Sequence, residues 1–132
     1  GNSAILLLCR YRLKLTSTNQ PPRFPGGSVL LGENTKLDLG FEAHNRFVDT
    51  VERRNGVWKL VKRQSVYDMA YFTFPVGVVE SERDVVAKYP REYAVLAYLL
   101  EKSGFPVRRI FATSGSELER AMKVDAQKWL AA

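Results

Sequence analysis

Two strand-like runs meet at Asn55-Gly56 within Phe41 to Tyr67, FEAHNRFVDTVERRNGVWKLVKRQSVY, and Trp58 opens the second run. Asn-Gly between β-rich segments is a strong hairpin signal, because both residues tolerate the positive φ that a tight turn demands. A hairpin this long commits the chain to a sheet. The same segment carries the polar residues that could line a small-molecule pocket.

The register of the hairpin decides which side chains share a face, since a shift of one residue moves each of them across the sheet. A two-residue turn pairs Arg54 with Val57 and puts Arg63 opposite Val48. A three-residue loop, Arg54-Asn55-Gly56 with Gly56 left-handed, pairs Arg53 with Val57 and Phe47 with Arg63. In this second register one face holds Asn45, Phe47, Asp49, Val61, Arg63, Ser65 and Tyr67, with Asp49 and Asn45 diagonal to Arg63. Aromatic walls spotted with a guanidinium, a carboxylate, an amide and a phenol suit a ligand cavity.

Around the hairpin, Ala4 to Ser17 alternates as a half-buried strand, with Ile5, Leu7, Cys9, Tyr11, Leu13 and Leu15 on one face. Asn19 to Gly27 reads as a loop, and Ser28 to Leu31 as a short strand or part of that loop. Asn34 to Val51 and Val57 to Phe72 read as long strands, and Pro75 to Val79 leaves the sheet. Ser81 with Asp84 resembles a cap for a short helix ending before Pro90. Arg91 to Lys102 has helical spacing and stops at Gly104. Phe105 to Ala112 is extended or irregular. Ser116 and Glu119 form a capping-box pattern before a last helix through Leu130 that buries Leu118, Met122, Val124 or Ala126, and Trp129. Strands followed by helices predict one α+β domain over 1–132, mainly sheet in 1–75 and a mainly helical extension in 76–132, around an antiparallel sheet.

A length of 132 residues fits a single domain. The net charge of +6 invites a nucleic-acid reading, but the basic residues are scattered, so a solvated surface is favoured and no nucleic-acid partner is expected. One cysteine, Cys9, excludes an internal disulfide, and a single histidine with it excludes a His/Cys metal set. A reducing, cytoplasmic setting follows. The longest apolar run, Ala4 to Cys9, is too short to span a bilayer, so no membrane partner is expected. The start at Gly1 shows no signal-peptide pattern and reads as a processed, trimmed or incomplete N-terminus.

Gly56 to Arg63, GVWKLVKR, preceded by Arg46-Phe47-Val48-Asp49 and Glu52-Arg53-Arg54, resembles the SnoaL-like branch of the nuclear-transport-factor-2-like superfamily. The tail, with Tyr93, Leu96-Ala97-Tyr98, Gly104 and Val107-Arg108-Arg109, is similar to a C-terminal extension in that branch. Members include lindane dehydrochlorinase, scytalone dehydratase and polyketide cyclases. The resemblance implies a curved sheet forming a cone-like half barrel around N-terminal helices, with a cofactor-free acid/base site inside. It also implies that Arg63 and Phe47 face the pocket, which favours the three-residue loop.

The family's proton-abstracting Asp and His lie upstream of the matching region, and no residue here corresponds to them. The implied function is a cofactor-independent isomerase, cyclase or dehydratase of secondary metabolism, acting on a small apolar carbonyl or hydroxyl compound. The alternative is a noncatalytic small-molecule-binding or dimerisation module. Arg63 and Tyr67 would stabilise an enolate-like intermediate, with Asp49 orienting Arg63. Tyr11, Asn45, Phe47, Val61 and Ser65 would line the substrate. No metal or cofactor is expected. His44 shares a face with Glu42 and Arg46, away from Arg63, and reads as a solvated or covered strand residue rather than a base. A homodimer is expected unless the tail helices pack back onto the concave face.

Overall fold

Asn55 and Gly56 have φ of 52° and 80°, so the hairpin closes through a two-residue turn with both central residues left-handed. The computed structural model describes residues 3–8 and 28–132, with side chains from residue 31 onward. The strand and loop expected over 9–27, including Cys9 and Tyr11, lie outside the described residues. Among the described residues five strands form one sheet: β1 (Ser3–Leu8), β2 (Ser28–Asn34), β3 (Leu39–Arg54), β4 (Val57–Thr73) and β5 (Ala112–Thr113). Helices α1 (Arg83–Val86) and α2 (Ala94–Lys102) lie between β4 and β5, and α3 (Glu117–Ala131) follows β5.

β1 and β2 lie end to end along one edge of β3, with Leu8 opposite Phe47 and Ser28 opposite Asn45. The sheet is therefore at most four strands wide, in the order β1/β2, β3, β4, β5. β5 runs parallel to β4, so the sheet is mixed rather than wholly antiparallel. It is neither curled nor closed: β1/β2 and β5 stay unjoined at opposite edges, and the cone-like half barrel is not formed. Among the described residues no helix is long and apolar enough to cross a membrane.

The single long strand expected from Asn34 to Val51 is instead the last residue of β2, a turn, and most of β3. The side chain of Asn34 accepts from the N–H of Lys36, its carbonyl accepts from the N–H of Leu37, and Asp38 adopts φ 51° before β3 begins. Asn and Asp tolerate such geometry through their short polar side chains, so a turn forms without glycine or proline.

The turn geometry overturns the three-residue loop, because Arg54 pairs with Val57. Yet Arg63 does not face Val48. Thr50 pairs with Lys62 and Val51 with Leu60, leaving Val61 as an extra residue in β4. Arg63 consequently lies directly opposite Asp49, rather than diagonal to it. Between Lys62 and Tyr67 the true register differs from the three-residue-loop register by two positions, and an even shift leaves each of those side chains on its face; from Val57 to Leu60 it differs by one, which moves them across the sheet. A second extra residue, Asp68, follows between Tyr67 and Met69.

The two faces of the sheet are covered differently. On the Arg63 face, Leu39, Phe41, Tyr67 and Phe72 pack against α1 and α2 through Val85, Tyr93, Leu96, Tyr98 and Leu99. On the Arg46 face, Val48 and Val66 pack against Met122 and Ala126 of α3. The helical tail thus divides between the faces. Helix α2 ends where Gly104 takes φ 88° and the N–H groups of Gly104 and Phe105 return to the carbonyls of Glu101 and Leu100. Helix α1 is capped at Glu82, not Ser81, and no side-chain cap bond forms. Helix α3 turns Met122, Ala126 and Trp129 inward, whereas Leu118 and Val124 stay exposed. Glu119 takes the inward position that Leu118 was expected to fill, because a cation on the sheet binds it.

Phe41 packs over the backbone of its cross-strand partner Gly32, where an added Cβ would come within 2.1 Å of the Phe41 ring. That ring reaches the clusters built on both α1 and α2. Gly32→Val will push it outward and lower stability by about 1–3 kcal/mol in urea unfolding, whereas Gly32→Val with Phe41→Ala will lose less than the sum of the two single changes.

Candidate functional site

β3 and β4 set three cross-strand pairs side by side on the Arg63 face: Asp49 with Arg63, Phe47 with Ser65, and Asn45 with Tyr67. Alternation along each strand puts these six residues on one surface once the extra residue at Val61 has shifted the register. Arg63 Nε donates to Asp49 Oδ1 at 2.8 Å and Nη2 to Oδ2 at 2.7 Å, a bidentate pair. The guanidinium carbon sits 4.6 Å from the centre of the Phe47 ring. The Asp49 side chain is 1% exposed, whereas that of Arg63 is 37% exposed. The carboxylate is sealed beneath its partner, and the guanidinium reaches the surface.

Within the pair the two groups are placed differently. Each Asp49 oxygen accepts from an Arg63 donor, so the carboxylate anchors the guanidinium. Arg63 is held in one plane by the fork and by the ring beneath it, the arrangement that suits recognition of a carboxylate, enolate or phenolate oxygen. Removing Arg63 would strand a buried charge, which is costly.

Tyr67 belongs to the core. It lies 5.5 Å from the Tyr93 ring and 5.6 Å from the Phe111 ring, and Tyr93 in turn accepts from the N–H of Phe111. Burial pushes the Tyr67 phenol above its ordinary range, against an opposing hydrogen bond with Ser65, so the hydroxyl stays protonated at neutral pH. Asn45 is fully buried beside it. Val61 is the extra residue of β4 and is 47% exposed, and Tyr11 lies outside the described residues.

His44 lies on the other face. Its Nε2 is 3.0 Å from Glu42, and Tyr71 shares that carboxylate, which holds the Tyr71 phenol above its usual range. Among the described residues no group of three or more histidine, cysteine, aspartate or glutamate side chains could hold a metal ion.

Arg46 organises the second polar network, which the residue pattern alone did not reveal. Its Nε donates to both oxygens of Asp68, at 3.1 and 3.0 Å, and Nη2 donates to Oδ1 at 2.8 Å. Its Nη1 donates to Glu119 Oε1 at 2.6 Å. Glu119 also accepts from the N–H of Gly115 at 2.7 Å and pairs with Lys123 at 3.1 Å. Ser116 caps α3 by accepting from the N–H of Glu119. The capping-box pattern pointed to both residues, though not to the arginine that Glu119 meets. The network joins β3, β4 and α3.

The chain matches no protein-family model and no curated protein.

Burial alone would raise the Glu119 carboxyl, but the Gly115 N–H, Lys123 and Arg46 together bring it down to about 2. A carboxyl lower in the folded than in the unfolded state stabilises the fold fully above its unfolded value, and that contribution disappears as pH falls toward 2. Acid will therefore cost this site on the order of 2 kcal/mol between about pH 4.5 and 2. Glu119→Gln will be less stable at neutral pH and will show a flatter stability profile across that window in pH-dependent urea unfolding.

Proposed function

We propose that this domain binds a small, largely apolar organic molecule bearing a carbonyl or hydroxyl oxygen, with Arg63 as its anion-stabilising group. One observation carries the reading: a guanidinium fixed by a buried carboxylate, stacked on Phe47 and open to the surface. An arginine so held is oriented before a ligand arrives, and a fixed donor stabilises developing negative charge without reorganising. Phe47 supplies an apolar wall, and its cross-strand partner Ser65 supplies a hydroxyl group. The hairpin's likeness to SnoaL-like domains extends the proposal to isomerisation, cyclisation or dehydration through an enolate-like intermediate, a chemistry that asks for neither metal nor cofactor.

A second reading, a noncatalytic binding module, is favoured by the placement of the acid/base candidates. Asp49 is occupied by Arg63, and His44 points to the opposite face. The two readings share the ligand surface and differ in whether a proton moves.

Titration of 2-naphthoate, followed by backbone amide shifts, tests the shared part. The shifts will centre on Phe47, Arg63 and Ser65, and Arg63→Gln will weaken binding by about tenfold or more, the worth of a charged hydrogen bond. Shifts confined to other surfaces, or binding indifferent to Arg63→Gln, would remove the proposal. Deuterium uptake at the α-carbon of 1-indanone in heavy water separates the readings. Exchange above buffer that falls with Arg63→Gln supports catalysis; 2-naphthoate binding without exchange supports the binding module.

A further inference from the structure

At the far end of the β3–β4 hairpin, residues 53–57 and 59–63 are exposed. Pairing with β1 stops at Glu52, opposite Ser3, and beyond it the hairpin is flanked by no described strand. Around the Asn55-Gly56 turn three aliphatic side chains face solvent: Val57 at 58%, Leu60 at 53% and Val61 at 47% exposure. Trp58 is half-buried between them in sequence. Arg53, Arg54, Lys59 and Lys62 are exposed over the same stretch, against the single carboxylate of Glu52, which Arg54 binds. Arg63 is neutralised separately by Asp49.

We infer that this hairpin end docks onto an anionic lipid bilayer surface. Aliphatic side chains and a tryptophan interleaved with lysine and arginine match both parts of such a surface. The apolar groups enter the boundary between headgroups and acyl chains, and the long cations reach back to the phosphates. A nucleic acid would use the cations alike, but it gains nothing from exposed valine and leucine. The two strands satisfy one another's inward-facing backbone groups up to Arg54 and Val57, and a shallow approach leaves the outward-facing groups at the depth of the hydrated headgroups. The sequence-based expectation of no membrane partner rested on the length needed to span a bilayer, and a surface-docked hairpin needs no such length. The docking residues precede Arg63 in the chain and adjoin the proposed ligand surface at Val61, but they include none of Arg63, Phe47 and Ser65, on which ligand binding is tested, so either proposal can fail alone.

Sedimentation with vesicles tests the inference, using phosphatidylcholine alone and phosphatidylcholine mixed with phosphatidylglycerol. The protein will pellet with the mixed vesicles at low salt, stay in solution with phosphatidylcholine alone, and be released by high salt. Lys59→Glu/Lys62→Glu will weaken partitioning by about twentyfold, and Lys36→Glu/Lys128→Glu, the same charge change elsewhere, by about twofold or less. Leu60→Ser/Val61→Ser will weaken it by about tenfold at unchanged charge. Far-UV circular dichroism confirms that each variant is folded, and the salt response of the unaltered chain stands independently of them. Equal pelleting with both vesicle types, no pelleting, or tip variants that partition like the unaltered chain would overturn the inference. So would tighter binding to a duplex oligonucleotide that persists in Leu60→Ser/Val61→Ser.

Discussion

The additional residue that β4 carries at Val61 determines where each polar group of the candidate site lies. Without it, the two-residue turn at Asn55-Gly56 would have set Arg63 against Val48 and placed its guanidinium on the opposite face from Asp49. With it, the guanidinium and the carboxylate are directly paired, and both bonds of the fork fall within 2.8 Å. A bulge costs a ladder position and bends the strand locally. Here the cost is offset by satisfying a carboxylate that would otherwise be buried without a counter-ion.

The second bulge works on the other face by the same logic. Asp68 has no ladder partner of its own, and its carboxylate meets Arg46. Arg46 then draws Glu119 inward, which sets the rotation of α3 about its axis: Met122, Ala126 and Trp129 follow at helical spacing, and Leu118 is left outside. One strand, β3, thus sends an arginine to one face and a carboxylate to the other, and each face is organised by the ion pair it receives. The Arg46 network ties the last helix to the sheet, whereas the Asp49–Arg63 pair leaves its guanidinium reaching the surface. Arg46 commits Nε, Nη1 and Nη2 to Asp68 and Glu119, whereas the Arg63 guanidinium is stacked on Phe47 beside Asp49, which makes the Asp49–Arg63 pair the candidate for ligand contact.

Much of this was legible from local signals. Asn55-Gly56 marks the hairpin because few other dipeptides accept two positive φ values in succession. Gly104 marks the end of α2 for a similar reason, and Ser116 with Glu119 marks the start of α3. Six of the seven residues assigned to the Arg63 face were also readable, since alternation survives any even change of register, whereas Val61 became the extra residue of β4. The loop chosen to justify it was not. The turn before Leu39 escaped notice because Asn34 and Asp38 supply its geometry without glycine or proline, and the parallel β5 is only two residues long.

By itself, the amino-acid sequence determined the elements whose ends depend on neighbours a few residues away: a long hairpin, two capped helices, an α+β domain, and six residues that share one side of a sheet. Tertiary structure alone decided the cross-strand partners of those residues, the two bulges, the open mixed sheet, and the division of the helices between its faces. The reason is one of range. Caps and turns are closed by hydrogen bonds within a single loop, whereas the worth of an extra residue at Val61 or Asp68 exists only once a charged group from another strand has arrived opposite it.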